Sequence, residues 1–178
     1  MPHDIYLRTV PHTGTRFVVE FLNYLGVKHQ QWHFGWPKPY DFIQFDDKRV
    51  YLDNVPRVTG STRYVITVRN PHHTWESLDS RTWGDMCYEW YDELVAFCAT
   101  NELVHLLSLD APDQQQALAD LAEFCGVEYD GDFTWEEVSP SGCVHGDIPG
   151  DIKKQLSGAY QWYEDHTTGT DNGRHEKN

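Results

Sequence analysis

Two short stretches of the chain carry the residue types that bind anions. The first is Pro11-His12-Thr13-Gly14-Thr15-Arg16, set between an apolar run and an amphipathic one. A glycine lets backbone approach a ligand closely, and the N–H groups of a helix start attract negative charge, aided by the helix dipole. Thr13 and Thr15 add hydroxyl donors, and Arg16 adds a cation. The second stretch begins at Arg69, which closes the most apolar run and is followed eight residues later by Ser77. That interval is about two helical turns, so the two side chains can grip one phosphate from two sides. Each stretch alone has a plainer explanation: a glycine turn with a surface Arg, and an Arg paired to an acidic neighbour beside an ordinary helix serine. A purely structural protein leaves both stretches unexplained together.

The same residues argue against one reaction. A nucleotide-kinase loop reads GxxxxGK[ST], and it works with a strand-end carboxylate that holds Mg²⁺. The first loop has one glycine and no lysine, and the next buried run ends in Arg69. The expectation is phosphate binding without a metal.

The elements that must hold these residues follow from periodicity and punctuation. Ile5 to Val10 reads as a strand, and Arg16 to Leu25 as a helix with Phe17, Val18, Phe21, Leu22 and Leu25 on one face, ended by Gly26. Val27 to Phe34 reads as a second strand, and Asp41 to Val55 as a hairpin about Asp46-Asp47. Arg63 to Arg69 is the clearest buried strand. Asn70-Pro71 suits the cap and first position of a helix running to Arg81. A helix over Asp85 to Thr100, a strand over Leu103 to Leu109, and a helix with Asp113 and Gln116 as a capping box and Gly126 as its stop come next. One last helix is expected over Asp151 to Asp165. Strands alternating with helices predict an α/β fold: a P-loop-type parallel β-sheet flanked by helices on both faces, in a single domain over residues 1–166. A disordered polar tail is expected over 167–178. Ligands of such sheets sit at the carboxyl ends of the strands, where both anion-binding stretches fall.

At this level the chain resembles the sulfotransferases that use 3′-phosphoadenosine 5′-phosphosulfate. Pro11 to Arg16 is similar to that family's 5′-phosphosulfate loop. Val68-Arg-Asn-Pro-His-His-Thr-Trp-Glu-Ser77 resembles its 3′-phosphate motif, with the same Arg-to-Ser interval. Gly14 to Leu22 is nearest to the glucosaminyl 3-O-sulfotransferase branch. Phe124-Cys-Gly-Val127 resembles the end of a later helix, and Gly142-Cys-Val-His-Gly146 a late loop that covers the nucleotide. The resemblance touches most of residues 5 to 165, and the 3′-phosphate motif is its most specific part. It implies that Pro11, His12, Thr13, Gly14, Thr15 and Arg16 bind the 5′-phosphosulfate, that Arg69 and Ser77 bind the 3′-phosphate, and that Gly142, Cys143, Val144 and His145 cover the cofactor. It implies sulfuryl transfer to an acceptor hydroxyl or amine, with adenosine 3′,5′-bisphosphate as product. His12 stands where the family loop carries Lys. A protonated His12, with Arg16, would stabilise the leaving oxygen. His33 is the expected base, with His29 and Glu20 as second choices. A local ion pair with Arg16 is the other role open to Glu20. Two histidines without a third ligand do not make a zinc site, so no metal is expected. The rival readings are a family relic that binds the bisphosphate without transfer, favoured by His12, and a P-loop kinase.

Composition narrows the partners. A formal net charge of −14 over 178 residues repels nucleic acid and acidic lipid and disfavours a highly sulfated glycan as acceptor. The expected acceptor is a small molecule, carbohydrate or peptide. Trp32, Trp36, Tyr40 and Trp83 are candidates to line its pocket. Cys87, Cys98, Cys125 and Cys143 are widely spaced and form no CxxC pair, which predicts reduced thiols and a cytoplasmic protein. The first residues do not read as a signal peptide, and no run approaches transmembrane length.

Overall fold

The computed structural model describes residues 5–35, 42–45, 48–51, 63–80, 82–134 and 147–167. Its centre is a parallel sheet of four strands: β1 (Ile5–Thr9), β2 (His29–His33), β5 (Arg63–Val68) and β6 (Val104–Ser108), in the order β2-β1-β5-β6. Strands β3 (Phe42–Phe45) and β4 (Lys48–Tyr51) pair antiparallel as a separate hairpin, with Phe42 opposite Tyr51. The helices are α1 (Thr15–Tyr24), α2 (Pro71–Asp79), α3 (Cys87–Thr100), α4 (Gln114–Cys125), α5 (Gly150–Gln155) and α6 (Ser157–Thr167). The fold is α/β in one small domain, as the alternation of the two periodicities requires.

Each strand feeds both faces because successive side chains point opposite ways. Ile5 and Leu7 of β1, Val65 and Leu107 pack with Phe17, Phe21 and Leu22 of α1 and with Leu118 and Leu121 of α4. Ile66 and Val68 pack on the other face with Leu78 of α2, with Trp90, Tyr91 and Leu94 of α3, and with Tyr163 of α6. The sheet therefore has a core on each side. Truncating a fully buried ring such as Phe21 would cost roughly 3–5 kcal/mol.

Chain punctuation sets most helix ends where the sequence places them. Asn70 caps α2 by accepting from the His72 amide at 3.0 Å, with Pro71 at the first helical position. Past α1, Gly26 adopts φ 68, which lets its amide reach the Asn23 carbonyl and the Val27 amide reach Leu22. Three readings change. Helix α2 stops at Asp79, short of Arg81, where the Ser80 hydroxyl takes the Ser77 carbonyl at 2.7 Å. At α4, Asp113 accepts from the Gln116 amide, but the Gln116 side chain turns forward to Asp120 at 2.7 Å, so only half of the capping box forms. The single helix expected over 151–165 is two. Leu156 is buried at the break, and the Ser157 hydroxyl takes the Lys154 carbonyl at 2.8 Å, a local bond that competes with the helix ladder. Thr167, placed in the tail by sequence, closes α6, and residues 168–178 lie outside the described residues. No helix among the described residues is long and apolar enough to cross a membrane.

Candidate functional site

The order β2-β1-β5-β6 means that the chain leaves β1 in one direction and returns on its other side at β5. The carboxyl ends of β1 and β5 therefore flank the point where the winding reverses, the usual ligand position in open parallel sheets. Pairing in register puts His33, Thr9 and Thr67 in one row at this end, one residue before the loops begin.

The β1–α1 loop turns sharply. His12 and Gly14 both have positive φ, 67 and 91. Gly14 occupies the cap position of α1 and has no side chain to cap it, and the first turn of α1 has no acidic residue. A Cβ at Gly14 would lie 2.5 Å from Leu109 Cδ2, so the close approach that glycine permits here is already to the β6–α4 segment. Thr13 is fully buried. Its hydroxyl donates to the Val10 carbonyl at 2.6 Å and meets the Thr67 hydroxyl at 2.7 Å, so it pins the loop to the sheet instead of offering a donor outward. Thr15 donates to the Thr9 hydroxyl at 2.9 Å. Pro11 is buried. Arg16 pairs with Glu20 at 3.0 Å on the exposed side of α1, which gives Glu20 the local role that its spacing allows.

The second stretch meets the first. His12 Nδ1 lies 2.6 Å from Ser77 Oγ, across 65 residues of sequence, and Ser77 is buried. The Trp83 ring, 40% exposed, stands edge-on to His12 with centroids 6.3 Å apart. Arg69 follows β5 directly. Its carbonyl accepts from the buried Tyr91 hydroxyl at 2.7 Å, while its half-buried guanidinium meets no carboxylate among the described residues. The nearby Asp110 carboxylate is engaged twice, by the Asn70 amide at 2.9 Å and the Tyr163 hydroxyl at 2.7 Å. Burial first, and then Asp110, push the Tyr163 phenol up.

The two histidines of β2 part company. His33 pairs with Thr9 at the loop end, and its Nδ1 is 2.6 Å from Thr9 Oγ1. Burial pushes His33 down to about 4, opposed by the Thr9 carbonyl and aided by His12, so the ring is neutral near pH 7. His29 pairs with Ile5 at the other end of the strand, ~13 Å away by strand rise. It is buried, with Nδ1 3.0 Å from the Val27 carbonyl, and burial lowers its pKa. As second-choice base His29 is thus removed from the loop by the strand's length, and the two rings cannot share one ion. Trp32, expected near an acceptor, lies against the Arg8 guanidinium at 4.8 Å, and Phe34 and Phe97 cover the same cation at 4.3 and 4.8 Å. Trp36, Tyr40 and the covering loop Gly142, Cys143, Val144 and His145 lie outside the described residues.

Sequence reasoning missed Thr9, Thr67 and Leu109. The first two interrupt apolar strands at the same register position, a signal visible only once the strands are aligned. No family model, curated protein or solved structure matches the chain.

Proposed function

We propose that the chain is a sulfotransferase that binds 3′-phosphoadenosine 5′-phosphosulfate across the carboxyl ends of β1 and β5 and transfers its sulfuryl group, without metal, to a hydroxyl or amine of a small molecule, carbohydrate or peptide. The observation that carries this reading is the His12–Ser77 contact at 2.6 Å, because it joins two motifs that resemble the two halves of one cofactor site. An uncapped helix start and, at the end of β5, a cation that meets no carboxylate among the described residues support it, since both favour a phosphorylated ligand over a metal.

In the transfer, the acceptor oxygen or nitrogen attacks sulfur as the bond from sulfur to the bridging phosphate oxygen breaks. The electron pair of that bond stays on adenosine 3′,5′-bisphosphate. The amide groups of the α1 start, with Arg16 and a protonated His12, would hold the charge that develops there. The acceptor's proton passes to neutral His33. Arg69 and Ser77 would fix the 3′-phosphate, and the rate enhancement comes mainly from positioning and electrostatics. Cys87, Cys98 and Cys125 are free thiols, each pushed up to about 12 by burial, so they stay protonated near pH 7 and take no part in the transfer.

The competing reading is a binding module that holds the bisphosphate and transfers nothing. It is favoured by the His12 ring being committed to Ser77 where the family loop has a lysine. Melting with adenosine 3′,5′-bisphosphate and chelator tests both. Ligand at ~100 times its dissociation constant adds about 2.7 kcal/mol of stability, and no shift would sink both readings. A shift without transfer of labelled sulfate to any acceptor leaves the binding module. Arg69→Ala should weaken the bisphosphate by roughly 1.5–3 kcal/mol while sparing adenosine 5′-phosphosulfate, and equal losses would make Arg69 structural.

A further inference from the structure

Thr9 is a fully buried threonine at the carboxyl end of β1. Among the described residues its hydroxyl oxygen has two partners. Thr15, the first residue of α1, donates to it at 2.9 Å, and His33 Nδ1 lies 2.6 Å away. The Thr15 proton already points at Thr9, so the proton of Thr9 itself goes to the other partner, because a buried hydroxyl proton without an acceptor is costly. Nδ1 of His33 is then the acceptor. A neutral imidazole carries one N–H, which is left on Nε2. The Thr9 carbonyl, which accepts from the Phe34 amide at 2.9 Å and has a second lone pair, is the competing partner of that ring, and only the need of the Thr9 hydroxyl proton for an acceptor decides against it.

We propose that Thr9 is a positioning residue that fixes His33 as the Nε2–H tautomer, and that Thr15, Thr9 and His33 form a one-way chain of hydrogen bonds that carries the acceptor's proton out of the loop. The second half rests on the sulfuryl-transfer reading, and the first half does not. The protons balance in three moves. The acceptor's proton goes to Thr15 Oγ1 as the new bond to sulfur forms. The Thr15 proton goes to Thr9 Oγ1, and the Thr9 proton goes to His33 Nδ1. The ring, protonated at both nitrogens, returns one proton to solvent before the next turnover. With a hydrogen already on Nε2, His33 takes the proton through Thr9 and not directly. This accounts for how a mostly buried ring serves an acceptor at the phosphate loop.

Histidine ¹⁵N spectra of the intact protein test the first half, with the His33 signals assigned by their loss in His33→Gln. The wild-type protein near pH 7 should show a bare Nδ1 and a protonated Nε2. Thr9→Ser should keep that pattern, and Thr9→Val should give a mixture of tautomers. A protonated Nδ1 in the wild type overturns the proposal without need of any variant, and so does an unchanged pattern in Thr9→Val. Turnover tests the second half. Thr9→Val should lower kcat by ~10²-fold, leave the bisphosphate melting shift unchanged and add nothing to His33→Gln, while Thr9→Ser restores the rate. Full turnover in Thr9→Val, or losses that multiply in the double variant, removes the relay. A wild-type protein with the expected tautomer and no transfer to any acceptor refutes the sulfuryl-transfer reading and leaves the positioning role of Thr9 standing.

Discussion

The β1–α1 and β6–α4 joins are built alike and finished differently. Both lead from a parallel strand into a helix that packs on the same face of the sheet. Helix α4 closes its own start: Asp113 accepts from the Gln116 amide at 3.0 Å, and the preceding Asp110 is held by Asn70 and Tyr163. Helix α1 starts on Gly14, with no side-chain cap and no acidic residue in its first turn. Its hydroxyls face the sheet, where Thr13 meets Thr67 and Thr15 meets Thr9. A helix start that satisfies itself is architecture. One braced from below and left without a cap above leaves its first amide groups for a ligand, which in the proposed function is an anion. Leu109 links the two joins, since it belongs to the second and lies against the glycine of the first.

The largest expected effect comes from acid, because two histidines are held neutral, half-buried His33 and buried His105. Burial pushes His33, beside the first join, and His105, on β6, down to about 4 each. In the unfolded chain both titrate near 6.5, so between pH 6.5 and 4 the unfolded state binds more protons than the folded one. Stability is therefore complete above about pH 6.5 and falls as the pH drops towards 4, by on the order of a few kcal/mol per ring. Urea midpoints at pH 7 and pH 4.5 measure the loss. His33→Gln and His105→Gln should each remove part of it, and a flat profile in wild type would mean that neither ring is held neutral. Next in size is Gly14→Ala. It places a side chain at φ 91 and drives a Cβ into Leu109, which costs about 1–3 kcal/mol and closes the loop to ligand. Thermal melts with and without bisphosphate should show a lower midpoint and no ligand shift. A variant that keeps the full shift would mean that the loop's shape is not what binds.

The alternation of elements was legible in sequence because both periods are strong: Ile5 to Val10 and Arg63 to Arg69 read as strands, and Phe17, Phe21 and Leu22 as one helical face. Helix limits were legible where a residue acts within its own turn, as Asn70, Gly26 and Asp113 do. The break at Leu156 was not, because a buried leucine and a serine that takes a carbonyl look like ordinary helix residues in a string. Within the site, the two anion-binding stretches were legible by type, but their junction through His12 and Ser77 spans 65 residues and depends on which strands neighbour each other. The direction of side chains was also hidden. Thr13 reads as an outward donor and points inward, and Thr9 reads as a strand residue and meets His33 only through the β1–β2 register.

The smallest effect is the sharpest test of the comparison. Asp113→Ala removes the cap of α4 and should cost ~1 kcal/mol, the usual weight of such a bond at an exposed helix start. Its second consequence is the informative one. The variant has two uncapped helix starts on the same sheet face, one natural and one made. If an open helix start were enough to hold an anion, Asp113→Ala would gain a second site for inorganic phosphate or bisphosphate, visible as a changed stoichiometry in calorimetry. The expectation is an unchanged stoichiometry and an unchanged melting shift on a slightly lower baseline. From Asp110 through its first turn the start of α4 carries acidic Asp110 and no basic residue, whereas the β1–α1 loop carries His12 and Arg16, so the field there stays unfavourable to negative charge. A new site in Asp113→Ala would show that the two joins differ only in their caps. The assignment of the β1–α1 loop as a built anion site would then lose its basis in the surrounding cations.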